Sequence, residues 1–261
     1  MKEQLPLIYD INDQWKKTLF LYDSALKQIN TKLEVMSNEF KLTNSHNPIE
    51  HITSRIKSIE SISKKMAHNN RELTIPNIME YVNDVAGVRI ICSFESDIYR
   101  IVEMIKKQAD IKVIKVKDYI MCPKPNGYSS YHMIVSVPVY MTHTVVPTKV
   151  EIQIRTIAMD FWASLEHKIY YKFEGNAPEH IRKELKECAD IAAFLDKKMM
   201  AINEEVKEYK ELLVDAKDAD EVESMEKTAV YSDEGEEKNK SRDGNSGKKF
   251  LFKKKNNIKY K

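Results

Sequence analysis

The sequence predicts an α/β protein, a mixed β-sheet flanked by helices with a helical arm at each end. Three observations carry that reading. Short β-branched runs cluster between residues 88 and 155, apolar residues recur at helical spacing on either side, and the chain beyond about 214 holds almost nothing to bury. The expected divisions are an N-terminal helical arm over 1–45, an α/β core over 46–175, a C-terminal helix over 176–213 and a charged, disordered tail over 214–261.

Each element has its own justification. From about 5 to 40, Leu19, Tyr22, Leu26, Ile29, Leu33 and Met36 fall on one face of a helix, and "NSHNP" (44–48) ends it with turn formers. A second helix is predicted near 50–69 and a short one over "PNIMEYVNDVAG" before Gly87. "VRIICSF" (88–94) reads as a buried strand, "DIYRIVEMIKKQ" (97–108) as a helix and "IKVIKV" (111–116) as an alternating strand. "YHMIVSVPVYM" (131–141) and "TKVEIQIR" (148–155) form an expected antiparallel pair. Thr156 can cap a helix whose inner stripe would be Ala158, Phe161, Trp162, Leu165 and Ile169. From 178 to 213 a charged helix offers Ile181, Leu185, Cys188, Ala192 and Leu195 as its apolar stripe.

Composition narrows the class. A chain of 261 residues, 42% hydrophobic and 31% charged, can bury a sizeable core under a charged surface. The formal net charge of +2 is too small to argue for nucleic acid or membrane by itself. Cys92, Cys122 and Cys188 lie far apart with no CxxC pair, which argues against a disulfide framework or zinc site and for a reducing cytosol. No signal-peptide core or membrane-spanning run is present, so the expectation is a cytoplasmic protein.

The segment "KVEIQIRT" (149–156) poses the chemical question. In a strand, Val150, Ile152 and Ile154 face one way while Glu151, Gln153 and Arg155 face the other. A solvated face, or a plain Glu–Arg pair, would account for two of these. Gln153 between them brings both donor and acceptor, which is more than an ion pair needs. In "NDVAGVRI" (83–90), Asp84 precedes the buried-type strand and Arg89 lies inside it, where its charge needs a carboxylate, water or ligand. Asp84 could simply cap the strand and Arg89 pair with an acid. Alternatively, Asp84 and Glu151 converge as hard oxygen ligands of Mg²⁺, which favours carboxylates completed by water and phosphate.

Two further segments supply cations and an aromatic ring. "KDYIMCPKPNGYSSYH" (117–132) sets Lys117 and Lys124 around a glycine-hinged Tyr128, a combination suited to a base stacked above its phosphates. The plainer alternative is a tyrosine packing its loop onto the sheet. "SRIKSIESISKK" (54–65) places Arg55 and Lys57 at the start of the predicted second helix, with Ser58, Ser61 and Lys65 following. Such a start can receive phosphate, or can be an ordinary solvated basic face.

Taken together and in order, "SRIKS", "NDVAGVRI", "KDYI…PKPNGYSSYH", "VEIQIRTIAMDFWASLEH" and "YYKFEGNAP" resemble a RelA/SpoT-type synthetase domain, most closely the stand-alone, RelQ-like small alarmone synthetases, over roughly residues 10–205. The resemblance implies a nucleotidyltransferase-like fold and a GTP pyrophosphokinase that moves the β,γ-pyrophosphate of ATP to the 3′-hydroxyl of GDP or GTP. It implies Mg²⁺ held by Asp84 and Glu151, with Glu151 also taking the hydroxyl proton. Arg55 and Arg89 would sandwich adenine and Tyr128 would stack on guanine, while Lys57, Lys65, Lys117, Lys124 and His132 would surround the phosphates and Ser61 would join the ATP site. Gln153 and Arg155 would lie near the acceptor nucleotide. Relatives form homotetramers through terminal helices, which 5–40 and 178–213 could supply.

Departures from the family pattern carry their own expectations. Ser129 replaces a residue that is often basic. His51 and Asp160 occupy positions linked in relatives to an allosteric product site, and a carboxylate at 160 should repel a polyphosphate there, leaving feedback by pppGpp weak. No His-Asp doublet is present, which implies synthesis without hydrolysis. The competing readings are an RNA-binding module using Tyr128 and the basic "KKFLFKKKNNIKYK" tail, an enzyme that transfers NMP, and a dead scaffold, which retention of Asp84, Glu151 and the two arginines disfavours.

Overall fold

In the computed structural model, residues 4–43, 46–171, 173 and 177–237 are described, with side chains over 14–43, 46–169, 173 and 177–212. Among these residues the strands are β1 (His51–Ile56), β2 (Ala86–Cys92), β3 (Lys112–Asp118), β4 (Tyr131–Tyr140) and β5 (Val145–Thr156). They form one mixed sheet in the order β1-β2-β5-β4-β3. The β2–β5 pair is parallel and the other pairs are antiparallel. The expected hairpin is present, with Tyr131 opposite Ile154 and Tyr140 opposite Val145.

One face of the sheet is the core. Val88, Ile90 and Cys92 of β2, Met133, Val135 and Val137 of β4, and Val150, Ile152 and Ile154 of β5 are all buried there. Four helices flank the sheet: α1 (Gln4–Leu42), α2 (Ile59–His68), α3 (Ile75–Tyr81) and α4 (Glu95–Lys106). The stripe read from α1 holds, since Tyr22, Leu26, Ile29, Leu33 and Met36 are buried against the sheet. On α4, Ile98, Ile101, Val102 and Ile105 do the same at helical spacing. Each fully buried isoleucine here contributes about 1.5–3 kcal/mol relative to leaving it in water.

Three expectations need correction. The helix predicted over 50–69 is instead strand β1, a short connection and then α2. Ile52 and Ile56 stand four apart, a spacing that fits an alternating strand as well as a helix, and pairing with β2 decides for the strand. The helix start falls at Ser58, whose hydroxyl accepts from Ser61 N at 3.3 Å. The second correction concerns α5 (Ile157–Tyr171), which Thr156 does cap, its hydroxyl accepting from Met159 N at 3.1 Å. Among its described side chains Trp162 of the expected stripe is buried together with Ala163, whereas Phe161, Leu165 and Ile169 of that stripe are exposed. The helix is turned by about one residue, roughly 100°, from the expected orientation.

The third correction concerns α6 (Glu179–Glu237). Among its described side chains Ala189 is the buried one; Ile181, Leu185 and Ala192 of the expected stripe are half-buried, while Cys188 and Leu195 are exposed. Trp162 Nε1 donates to Leu185 O at 2.8 Å and so fixes which side of α6 meets α5. The chain divides into compact units over 1–203 and 204–261. In the second unit the helix continues to Glu237, through a segment expected to be disordered from 214. The basic tail over 248–261 lies outside the described residues.

Candidate active site

Strand register alone assembles the polar face. Thr53 of β1 sits opposite Arg89 of β2, Arg89 opposite Gln153 of β5, Gln153 opposite His132 of β4, and His132 opposite Lys117 of β3. This row crosses the whole sheet on the side away from the core, because neighbouring residues along each strand point inward. The adjacent row runs through Arg55, Gly87 and Glu151. A cavity of about 210 Å³ opens over both rows, lined by Thr53, Ser54, Arg55, Asp84, Gly87, Val88, Arg89, Glu151 and Gln153. Asp84 and Glu151, distant in sequence, therefore share one cavity.

Asp84 lies in the turn between α3 and β2 and carries two cations. Lys57 Nζ reaches Oδ2 at 2.9 Å and Lys65 Nζ reaches Oδ1 at 2.7 Å. Lys57 is placed by the β1–α2 connection, where its N–H donates to Val85 O at 2.8 Å. Lys65 follows from α2, one face of which is anchored by buried Ile62 and Met66. Burial pushes the Asp84 carboxyl up, but the hydrogen bonds and charges of Lys65 and Lys57 outweigh it and hold the group below its usual range.

Glu151 heads a chain of polar contacts. Its Oε2 accepts from Gln153 Nε2 at 2.9 Å, and its Oε1 lies 3.5 Å from His132 Nδ1. Burial again raises the carboxyl, and His132 together with Gln153 outweighs it, so Glu151 stays ionised below its ordinary value. His132 Nε2 stands 2.8 Å from the Tyr128 hydroxyl, and that hydroxyl oxygen accepts from Arg155 Nη2 at 2.5 Å. With the imidazole proton on Nδ1 facing Glu151, every donor in this chain finds an acceptor. Arg155 is buried, donates from Nε to Ser130 Oγ at 3.3 Å, and reaches Asp160 Oδ1 from Nη1 at 3.0 Å.

The remaining expected site residues fall around this frame. Lys124 Nζ lies 4.6 Å from the Tyr128 ring centre and 4.9 Å from that of Tyr119, and Lys117 lies 6.0 Å from Tyr119. Arg55 and Arg89 border the same cavity and feel each other's charge. Arg55 sits on a strand and Lys65 in the last turn of α2, so of the expected basic helix start only Lys57 stands next to the α2 cap. Ser61 is bonded to Ser58 at the α2 cap and does not line the cavity.

Sequence reading missed three members. Tyr119 packs edge-on against Tyr128 and His132 at 5.9 and 5.3 Å, Ser130 supports Arg155, and Thr53 lines the cavity. Tyr119 stands two residues after Lys117, and that proximity to a lysine was its available signal. Asp160 is not the free acid expected of it. Its carboxylate faces Arg89 at 3.1 Å and Arg155 at 3.0 Å, so its charge is already met and does not stand free to repel a polyphosphate.

Carboxylates set among arginines and lysines, beside a half-buried tyrosine, make a site whose cations suit polyanionic ligands. Residues 54–176 match the family model described as the region found in RelA / SpoT proteins. GTP pyrophosphokinase YwaC of Bacillus subtilis (strain 168) is 52% identical over 196 residues, spanning 75% of this chain and 93% of that protein. GTP pyrophosphokinase YjbM of the same organism is 38% identical over 196 residues, with 75% and 91% covered. The crystal structure of small alarmone synthetase 2 from Bacillus subtilis superposes with a TM-score of 0.67 at 52% identity, covering 73% of this chain and 98% of that one. That of small alarmone synthetase 1, bound to its product pppGpp, gives 0.69 at 36% identity, with 74% and 98% covered. The chain belongs to the RelA/SpoT family, alongside the small alarmone synthetases.

Proposed function

We propose that this protein is a GTP pyrophosphokinase: it transfers the β,γ-pyrophosphate of ATP to the 3′-hydroxyl of GDP or GTP, releases AMP, and has no hydrolase activity. The observation that carries this reading is the single cavity holding Asp84 and Glu151 between Arg55 and Arg89. Arg55 and Arg89 receive adenine between planar guanidiniums. Tyr128 offers its ring to guanine, with Lys124 beside it and Lys117 beside the neighbouring Tyr119 for the acceptor's phosphates. Glu151, held ionised by Gln153 and His132, accepts the 3′-hydroxyl proton as the oxygen attacks the β-phosphorus and the bond to the AMP oxygen breaks. Lys57 and Lys65 lie on the donor side, where their charge offsets that of the triphosphate. Positioning two polyanions in line is most of the work.

Mg²⁺ fits this donor set. Asp84 and Glu151 are hard oxygen donors facing one cavity, and the two lysine ammoniums on Asp84 mark a place already suited to cations. With two protein carboxylates, the rest of the ion's octahedron would come from water and substrate phosphate. When bound there by Asp84 and Glu151, Mg²⁺ supplies charge neutralisation of the phosphates.

Assembly and location form part of the same proposal. Phe161, Leu165 and Ile169 on α5, with Phe194 and Met199 on α6, leave apolar surface exposed that a homotetramer would cover. Dispersed free cysteines support a cytoplasmic setting, and among the described residues no helix is long and apolar enough to cross a membrane. The deciding experiment incubates the protein with Mg²⁺, ATP and GDP, GTP or GMP in turn and resolves the products by anion exchange. AMP with a pyrophosphorylated guanine nucleotide is expected, whereas release of inorganic pyrophosphate would identify an NMP transferase instead. Glu151→Gln should lower turnover by about 10²–10⁴-fold, the usual contribution of a positioned base.

A further inference from the structure

Asp160 lies in the first turn of α5, where the helix N-terminus favours negative charge, and its side chain reaches back over the sheet. A single oxygen, Oδ1, meets Arg155 Nη1 at 3.0 Å and Arg89 Nη1 at 3.1 Å. The two arginines differ in how firmly they are held. Arg155 is buried and donates in addition to Ser130, Tyr128 and Gln153. Arg89 borders the cavity, and its Nε is buried with no hydrogen-bond partner among the described residues. Two guanidiniums so close repel each other, and Arg155 is the fixed one. The Asp160 carboxylate is therefore what sets the direction of Arg89.

The other end of the same unit is the acceptor platform. Arg155 Nη2 holds the Tyr128 hydroxyl at 2.5 Å, and Tyr128 joins His132 at 2.8 Å and, beyond it, Glu151. Arg89 stands on the adenine side and Tyr128 on the guanine side of the assigned site. Building on that assignment, we propose that Asp160 is a positioning residue that couples the two halves, so that a nucleotide bound in either half tightens binding in the other. A base stacked on Tyr128 holds the tyrosine, which holds Arg155, and Asp160 passes that order to Arg89. By linkage the effect runs equally in reverse.

The test is calorimetric titration of the full chain with a non-hydrolysable ATP analogue, alone and with saturating GDP. In the wild type, GDP should tighten the analogue by about fivefold or more, within the usual range of such couplings. Asp160→Asn keeps the shape and removes the charge, and should bring that ratio below about twofold. Tyr128→Phe keeps the stacking ring and removes the hydroxyl link, and should do the same by breaking the chain at its other end. Coupling preserved in either variant, or absent from the wild type, overturns the proposal. A merely structural Asp160 would lower the melting temperature of Asp160→Asn and leave the ratio intact. Product formation by the wild type is followed in parallel: its absence refutes the pyrophosphokinase reading, whereas its presence with coupling intact in Asp160→Asn refutes this inference alone.

Discussion

Replacing Gly87 by valine should make the protein more stable and nearly inactive. Gly87 lies in the interior of β2, directly opposite Arg55 and Glu151, and a Cβ built there meets no atom within 4 Å. Its φ is not positive, so neither strain nor packing calls for glycine. Glycine inside a strand costs about 0.5–1 kcal/mol relative to alanine through lost backbone entropy, and a β-branched side chain removes that cost. At roughly 2–4 °C per kcal/mol for a protein near this size, the melting temperature should rise by about 1–4 °C. The new methyl groups would project into the 210 Å³ cavity between the Arg55 guanidinium and the Glu151 carboxylate. Displacing a substrate there by about 1 Å is enough to cost on the order of 10²-fold in turnover. Differential scanning fluorimetry gives the first number and AMP release from ATP plus GDP gives the second. A variant that keeps kcat/KM within threefold of wild type, or that melts 5 °C lower, refutes the view of Gly87 as the cleared floor of the site.

Tyr128→Ala should raise KM for the guanine nucleotide by about 5- to 150-fold, the worth of one base–aromatic stack, while KM for ATP changes less; initial rates across both concentrations will separate them. Gly127 adopts φ +89°, and a Cβ there would fall 2.4 Å from Ala189 Cβ on α6. Gly127→Ala should therefore cost about 1–3 kcal/mol and weaken acceptor binding, read by urea unfolding and by the same kinetics. Glu151 and Asp84 both titrate below their ordinary values of 4.5 and 3.8 in the fold. Their stabilisation is thus complete above those values and is lost as pH falls through the lowered ones. Asp196 runs the opposite way: burial raises its carboxyl above 3.8 despite the bond from Thr156, so its ionisation costs stability as pH rises through the raised value. Asp196→Asn should raise the urea midpoint at pH 7 and leave it unchanged near pH 3.

Much of the core was legible because burial repeats with a period. The α1 stripe from Tyr22 to Met36 and the alternation of Val150, Ile152 and Ile154 each follow from one element's geometry, and both hold. The same alternation pointed to Glu151, Gln153 and Arg155 as a separate face, and the register aligns Gln153 with Arg89 and His132 and Glu151 with Gly87. Periodicity failed where two periods coincide or where a partner chooses the face. Ile52 and Ile56 fit either a helix or a strand until β2 pairs with them. Of the expected α5 stripe Trp162 is buried, yet Phe161, Leu165 and Ile169 are exposed and Ala163 goes in beside the tryptophan, on the side where Trp162 meets α6.

Sequence by itself determined which charged, polar and aromatic side chains were available to the site, because charge and side-chain chemistry are properties of single residues. It determined which strand face each would occupy, because alternation is local. Only the tertiary structure decided that Asp84 and Glu151 border one cavity, that Tyr119 joins Tyr128, and that Asp160 lies between Arg89 and Arg155. Those are distances between segments far apart in the chain. They are fixed by strand order and helix docking, which depend on the summed packing of the whole core and leave no periodic mark in any one segment.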